Sequence, residues 1–294
     1  MQRREMLLTT GLAAVGLSQF PWGWAAAADQ PKRKLLMFTR SQGFEHSTAK
    51  REDHKFSFNE ELVIKFGRDH EFEVLATKDG AVFDGDLSGY DAFLFYTTGD
   101  LTQPGGDDAP PMSAAGKERL LEAVSAGKGF LASHCGADTF HSAGPSREEQ
   151  TQRDPYIAML GGEFISHGPQ QKSRQKVVDR MFPGFERLGA DFTIEDEWYS
   201  LKNFADDLHV VLVQDTQGMD GNDYLRPAYP STWARLHGKG RVFYTSMGHR
   251  EDVWTNPAFQ KLFLGGLAWA FRNVNHDVPP NIKEVTPGAH VMPP

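Results

Sequence analysis

The stretch Gly127-Lys-Gly-Phe-Leu-Ala-Ser-His-Cys-Gly-Ala-Asp-Thr-Phe140 constrains this chain most. An amphipathic helical pattern over residues 118–126 stops at Gly127, and residues 130–133 then read as a short buried strand. The apolar run breaks off into His134, Cys135, Gly136, Ala137 and Asp138. Helix, strand and small polar turn in that order make one step of an α/β sheet. In open α/β sheets ligands sit beyond the carboxyl ends of the strands. A His, a Cys and an Asp in that turn therefore stand where chemistry is usually done. The plainer reading is a turn of small residues with a capping Asp.

The segments around it have the same alternation. Residues 34–39 are an apolar run suited to a first parallel strand. Phe58, Leu62 and Phe66 have helical spacing, with Gly67 expected to close that helix. Strands are expected over 72–76 and within 87–96, and a Gly/Pro/Asp-rich loop over 100–111. The middle is less regular. It suggests a polar loop over 141–153, a short helix over 154–160, a brief strand over 163–167, edge strands over 176–178 and 192–194, and a strand over 210–213. Residues 231–236 and 241–246 read as a hairpin across His237-Gly-Lys-Gly240. A helix capped by Thr255 or Asn256, with Pro257 in its first turn, carries the stripe Phe259, Leu262, Phe263, Leu267 and Phe271. This order predicts one α/β domain over 29–273, with a mainly parallel sheet and helices on both faces. A Pro-rich tail over 274–294 is expected to run across its surface.

The first 28 residues read as an export signal. Arg3-Arg4 precedes an apolar stretch over 7–17, and Ala25 to Ala28 offer a small-residue cleavage site before Asp29. The expectation is a twin-arginine signal, with a Sec signal as the alternative, and a periplasmic or secreted mature protein. The apolar stretch is shorter than the roughly 20 residues a stable span needs. The net charge of -8 and the lack of a basic cluster in the mature chain argue against a nucleic-acid partner. A single cysteine excludes an internal disulfide and a Cys-based zinc cluster.

Four expected strand ends carry histidine: His46, His134, His167 and His249. Glu45, Asp138, Glu197 and Glu251 lie near them in sequence, as do Trp198, Tyr199, Trp233 and Trp254. Gathered on one rim, these would make a cleft of acid/base groups and aromatic plates. That composition suits a small carbohydrate, whose C–H face packs on rings and whose hydroxyls bond to carboxylates and imidazoles. The expected roles are His134 as central acid/base or ligand, oriented by Asp138, with His46, His249 and Glu197 completing the catalytic set. Tyr199, Trp254 and His167 are expected to contact the substrate. Imidazole and carboxylate also ligate zinc, manganese or iron. No tight spacing such as H-E-x-x-H is present, so a divalent metal is left open, with His46, His134, His167 and His249 as its ligands. A cysteine hydrolase needs a G-x-C-x-G elbow and a distal H-x-E. His249-Arg-Glu251 supplies the second, but residues 132–136 put His134, not Cys135, at the tip of the first.

Taken together and in order, these pieces resemble the trehalose-utilisation (ThuA-like) family. They are Gly43-Phe-Glu-His46, the stretch 127–140, Gly161-Gly-Glu-Phe164 with His167, Asp196-Glu-Trp-Tyr199, and Gly240-Arg-Val-Phe-Tyr-Thr-Ser-Met-Gly-His249 followed by Trp254. The resemblance runs from about residue 34 to residue 270. It implies a flavodoxin-like fold of the class I glutamine amidotransferase type, and a role in carbohydrate metabolism. It also implies an elbow bearing His where amidotransferases bear Cys. The sequence departs from the family at Glu45, where arginine is common, at Gly168, where proline often stands, and between Gln171 and Asp191. The expected function is an exported enzyme acting on a sugar or glycoside, a keto-sugar included. A non-catalytic sugar-binding protein is the second reading.

Overall fold

The computed structural model describes residues 32–106 and 108–294; the expected export signal lies outside them. Eleven strands and six α-helices follow one another as β1 (Lys34–Phe38), α1 (Phe58–Asp69), β2 (Glu73–Thr77), β3 (Ala92–Phe95), α2 (Ala114–Ala126), β4 (Gly129–Ser133), α3 (Pro155–Leu160), β5 (Glu163–His167), β6 (Gln171–Val177), β7 (Asp191–Asp196), β8 (Tyr199–Lys202), β9 (His209–Asp215), β10 (Tyr229–His237), β11 (Gly240–Thr245), α4 (Glu251–Trp254), α5 (Pro257–Ala270) and α6 (Ile282–Val285). Nine strands form one sheet in the order β2-β1-β3-β4-β11-β10-β9-β6-β7, while β5 and β8 pair apart from it. The strands from β2 to β11 run parallel. The remaining four extend the sheet in antiparallel fashion. The parallel half is the expected α/β core, and the antiparallel wing doubles its width.

Strand alternation divides the core between two faces. Leu35, Met37, Leu94 and Leu131 pack under α1 and α5. Leu36, Phe38, Phe93, Phe95 and Phe130 pack under α2 and α3. The helix α5 shows how local sequence sets this. The Asn256 side chain accepts from Ala258 N, Pro257 opens the first turn, and Phe259, Leu262, Phe263 and Leu267 are all buried. Each such side chain contributes about 1.5–3 kcal/mol, so Leu262→Ala would cost about 2–5 kcal/mol.

Several expectations are corrected. Gly67 lies inside α1, which continues to Asp69. A Cβ at Gly67 would stand 2.7 Å from the Phe72 carbonyl oxygen. Glycine there serves the close return of the chain, not the end of the helix. β6 is not an edge, because it pairs with both β9 and β7. β8 was not foreseen; Tyr199-Ser-Leu-Lys202 alternates apolar and polar, but four residues are too short a run to carry the signal. The segment after residue 273 does more than cross the surface. Ile282 and Ala289 are buried, the Asn281 side chain bonds both backbone groups of Val210, and Arg226 donates to the Ala289 carbonyl at 2.5 Å. No helix among the described residues is long and apolar enough to cross a membrane.

Register fixes where the site forms. Phe38 pairs with Phe95, Phe95 with Ala132, and Ser133 with Thr245. The chain therefore leaves β1, β3, β4 and β11 at one edge, delivering residues 39–49, Tyr96, His134 and residues 246–249 side by side.

Candidate active site

At that edge β4 ends in a 3-10 turn over His134–Ala137. His134 opens it with φ of 46°, a left-handed conformation that costs a non-glycine residue about 1–3 kcal/mol. Neighbouring bonds hold it there. Tyr244 Oη donates to the His134 carbonyl at 2.9 Å, and Ser133 Oγ donates to the Met247 carbonyl at 2.7 Å. The His134 ring is fully buried, and its Nδ1 donates to the Ser246 carbonyl at 3.0 Å. A carbonyl cannot donate, so Nδ1 carries a proton and Nε2 is turned inward.

His134 Nε2 faces Glu197 Oε2 at 3.5 Å and His249 Nδ1 at 3.3 Å. His249 Nδ1 is in turn 3.1 Å from Glu197 Oε2. His249 is positioned by Gly248, whose N–H donates to Asp196 Oδ2 and whose carbonyl accepts from Tyr96 Oη and Trp254 Nε1. His46, from the loop after β1, completes the group. Its ring centre is 5.0 Å from that of His134 and 5.1 Å from that of His249. It is buried, with Nε2 3.5 Å from Tyr199 Oη and no hydrogen-bond partner for Nδ1. One ring nitrogen each of His46, His134 and His249 and a Glu197 oxygen lie within 4.8 Å of one another. Three imidazoles and a carboxylate at such range are a donor set for a cation as well as for proton transfer.

The environment drives these groups apart in protonation. Burial, then the neighbouring His134 and His249, push His46 down to about 2, so it is neutral at ordinary pH. Burial opposes charge on Glu197, but hydrogen bonds from His134 and His249 outweigh it and hold the carboxyl below its usual range. Burial likewise opposes charge on His249, yet the Glu197 carboxylate wins and raises it. Burial raises Asp196, which accepts from Gly248 N and Glu197 N.

The structure thus brings His46, His134, His249 and Glu197 together, with His167 at the mouth. His167 is half-exposed; its Nδ1 donates to the Gly168 carbonyl at 2.9 Å and lies 3.5 Å from Glu197 Oε1. Other expectations fail. Asp138 does not orient His134: its Oδ1 accepts from His141 Nε2 at 2.7 Å, while Ser246 and Glu197 hold His134. Trp254 is no open plate. It is fully buried against Tyr96, Phe259 and Phe263, and its indole N–H supports Gly248. Tyr199 packs at a tilt against His134, ring centres 4.1 Å apart, but is itself covered by Phe164, also at 4.1 Å. Trp198 and Trp233 belong to the core. The rings that face outward are Phe44, 67% exposed and edge-on to His46, and the partly buried Phe164. Cys135 is buried, and burial followed by Asp138 pushes its thiol up, the reverse of what a thiolate nucleophile needs.

A second group went unnoticed in the sequence. His141 bonds Asp138 and Glu163, which raise it to about 9. Buried Glu163 also accepts from Ser142 and Asn203, anchoring the loop after the elbow. The signal was the three-residue spacing of Asp138 and His141.

A family profile described as trehalose utilisation (ThuA) matches residues 34–270. No curated protein matches the chain. Among solved structures, a ThuA-like protein from Bacteroides uniformis aligns with a TM-score of 0.62 and 18% identity, covering 84% of this chain and 94% of its own. A ThuA-like protein from Parabacteroides merdae aligns with a TM-score of 0.55 and 19% identity, covering 90% and 97%. At these identities the two structures speak for the shared fold.

Proposed function

This chain belongs to the trehalose-utilisation (ThuA) family, and on that premise we propose that it is an enzyme of carbohydrate metabolism. Its substrate is a sugar or glycoside, keto-sugars included, and the cluster of His46, His134, His249 and Glu197 does the work. The observation that carries this reading is the convergence of the four side chains, with His46 pushed down by burial and His249 raised by Glu197. Proton transfer beside a sugar carbonyl or hydroxyl needs one group that gives a proton and another that takes it. Glu197 favours a proton on His249 against the effect of burial, while burial keeps His46 neutral and accepting. Divergent environments of this kind are how one site holds both roles. Exposed Phe44 and partly buried Phe164 offer the apolar faces on which a ring would rest.

The test is a product screen on disaccharides and their keto forms with wild type, His134→Ala and Glu197→Gln. The expected result is turnover by wild type and its loss in both variants, with circular dichroism unchanged. Binding of intact sugars without product, or full activity in a folded His134→Ala variant, would overturn the proposal. We also propose that residues 1–28 direct export, read from Arg3-Arg4 and the Ala-rich segment before Asp29. Amino-terminal sequencing of protein recovered outside the cytoplasm should begin near Asp29; an uncleaved chain retained inside would overturn it.

A further inference from the structure

We propose that His46, His134, His249 and Glu197 form a binding site for one first-row divalent transition metal ion of the zinc type. The proposal rests on this cluster being the working site and adds the cofactor that would occupy it. Three observations carry it.

The first is the shape of the donor set. His134 Nε2, His249 Nδ1 and Glu197 Oε2 form a closed triangle with edges of 3.3, 3.5 and 3.1 Å. Donors about 2.1 Å from one tetrahedral ion stand about 3.4 Å apart, and about 3.0 Å in an octahedron. The triangle therefore has the size of one face of a coordination polyhedron. Hydrogen bonds alone explain it poorly. The two ring nitrogens can supply at most two protons, so at least one of the three close edges has no hydrogen bond along it.

The second is tautomer control. The Ser246 carbonyl fixes the proton of His134 on Nδ1 and turns Nε2 inward. A backbone carbonyl gripping the far nitrogen is the usual support of a metal-ligating histidine. The third is His46. It is 98% buried (2% exposed), packed edge-on to both other imidazoles, and its Nδ1 has no partner. Buried polar nitrogens in native proteins are normally satisfied. Coordination by one ring nitrogen would explain why three imidazoles are buried around one carboxylate.

The donors also set the kind of ion. Three nitrogens and one oxygen favour zinc and its neighbours over calcium or magnesium, which take oxygen donors. In the metal-bound form these four groups serve as ligands instead of as acid and base, and half-exposed His167 stands at the mouth beside Glu197 Oε1.

The test needs no sugar. The mature chain is stripped with a chelator and titrated with zinc in a calorimeter, with magnesium as the competing ion. Cobalt is then added to the stripped protein and its visible spectrum recorded. The expected result is one zinc held at micromolar affinity or tighter, not displaced by millimolar magnesium, with cobalt bands of a nitrogen-rich site. Affinity should fall at least 100-fold in His134→Ala and in Glu197→Gln, and stay unchanged in Asp179→Asn. Wild type that binds zinc no tighter than millimolar, or binding unaffected by His134→Ala and Glu197→Gln, would overturn the site. Because the wild-type titration stands alone, a variant that fails to fold does not remove the test. Zinc binding without sugar turnover would defeat the sugar reading and keep the metal; sugar turnover by a protein that binds zinc no tighter than millimolar would do the reverse.

Discussion

Two clusters of histidines and carboxylates occupy this molecule, and they differ in what they leave open. One gathers His46, His134, His249 and Glu197 where the parallel strands end. The other joins Asp179 after β6, His209 at the start of β9 and His276 in the C-terminal segment. In the second, both Asp179 oxygens and both His209 nitrogens have partners. His209 Nε2 and His276 Nε2 both donate to Asp179 Oδ2, at 2.8 and 2.7 Å, and His209 Nδ1 donates to the Pro279 carbonyl. Asp179 Oδ1 accepts from Met181 N and Phe182 N. That cluster is a clasp holding the tail to the sheet. In the first, His46 Nδ1 has no partner, and His134 Nε2, His249 Nδ1 and Glu197 Oε2 crowd within 3.5 Å of one another. The same residue types make a fastening in one place and a receptive site in the other. Hydrogen-bond accounting, not composition, separates them.

The largest expected effect falls on turnover. His134→Ala should lower kcat/KM by a factor of about 10²–10⁴, the range for losing a positioned acid/base group, with thermal unfolding nearly unchanged. Steady-state kinetics beside a melting curve checks both; equal loss from Asp179→Asn would erase the contrast between the clusters.

Next, the clasp should show in stability alone. Asp179→Asn leaves two imidazoles without their acceptor and should destabilise by about 1–3 kcal/mol, read by denaturant unfolding, with sugar turnover intact. The pH dependence has a definite sign. Burial opposes charge on Asp179, but the hydrogen bond from His209 and others outweigh it and hold its carboxyl below the usual range. A depressed folded value gives stability that is present above the unfolded pKa, about 3.9. That stability is lost as pH falls from there through the folded value. Wild type should therefore lose more stability below pH 4 than Asp179→Asn does.

A smaller effect concerns titration. Glu197→Gln removes the carboxylate that raises His249, so the His249 midpoint should fall, while His46 stays neutral down to about pH 2. Imidazole NMR signals followed against pH would show it, and an unmoved His249 midpoint would separate the two residues. Smallest of all, Cys135→Ser should change turnover less than twofold, and alkylating reagents should leave the native protein active, since the thiol is buried. Rapid inactivation would revive the cysteine reading.

What the sequence disclosed follows from how its signals arise. Fully buried parallel strands are continuous apolar runs, so β1, β3 and β4 and the positions just beyond them were legible. Register then made neighbours of His46, His134 and His249, which the strand-end placement anticipated. Glu197 was named for its place beside a Trp-Tyr pair. Partners were harder, because they depend on side-chain direction. Asp138 sits on a one-turn 3-10 helix that aims it at His141, not back at His134. Trp254 was read as a plate because aromatic residues serve cores and clefts alike; only packing reveals that α5 buries it. Phe44 and Phe164 were quoted as parts of motifs, and their exposure had no sequence signal. The tail clasp joins three segments, the outer two 97 residues apart, beyond the reach of any local pattern.

The contrast between the clusters is tested most directly by crystals of the mature protein grown with equimolar zinc and measured on either side of the zinc absorption edge. The account predicts an anomalous peak about 2.1 Å from His134 Nε2 and its neighbours, with none at Asp179, His209 and His276. A peak at the tail clasp alone, or an empty map around His134, would contradict it.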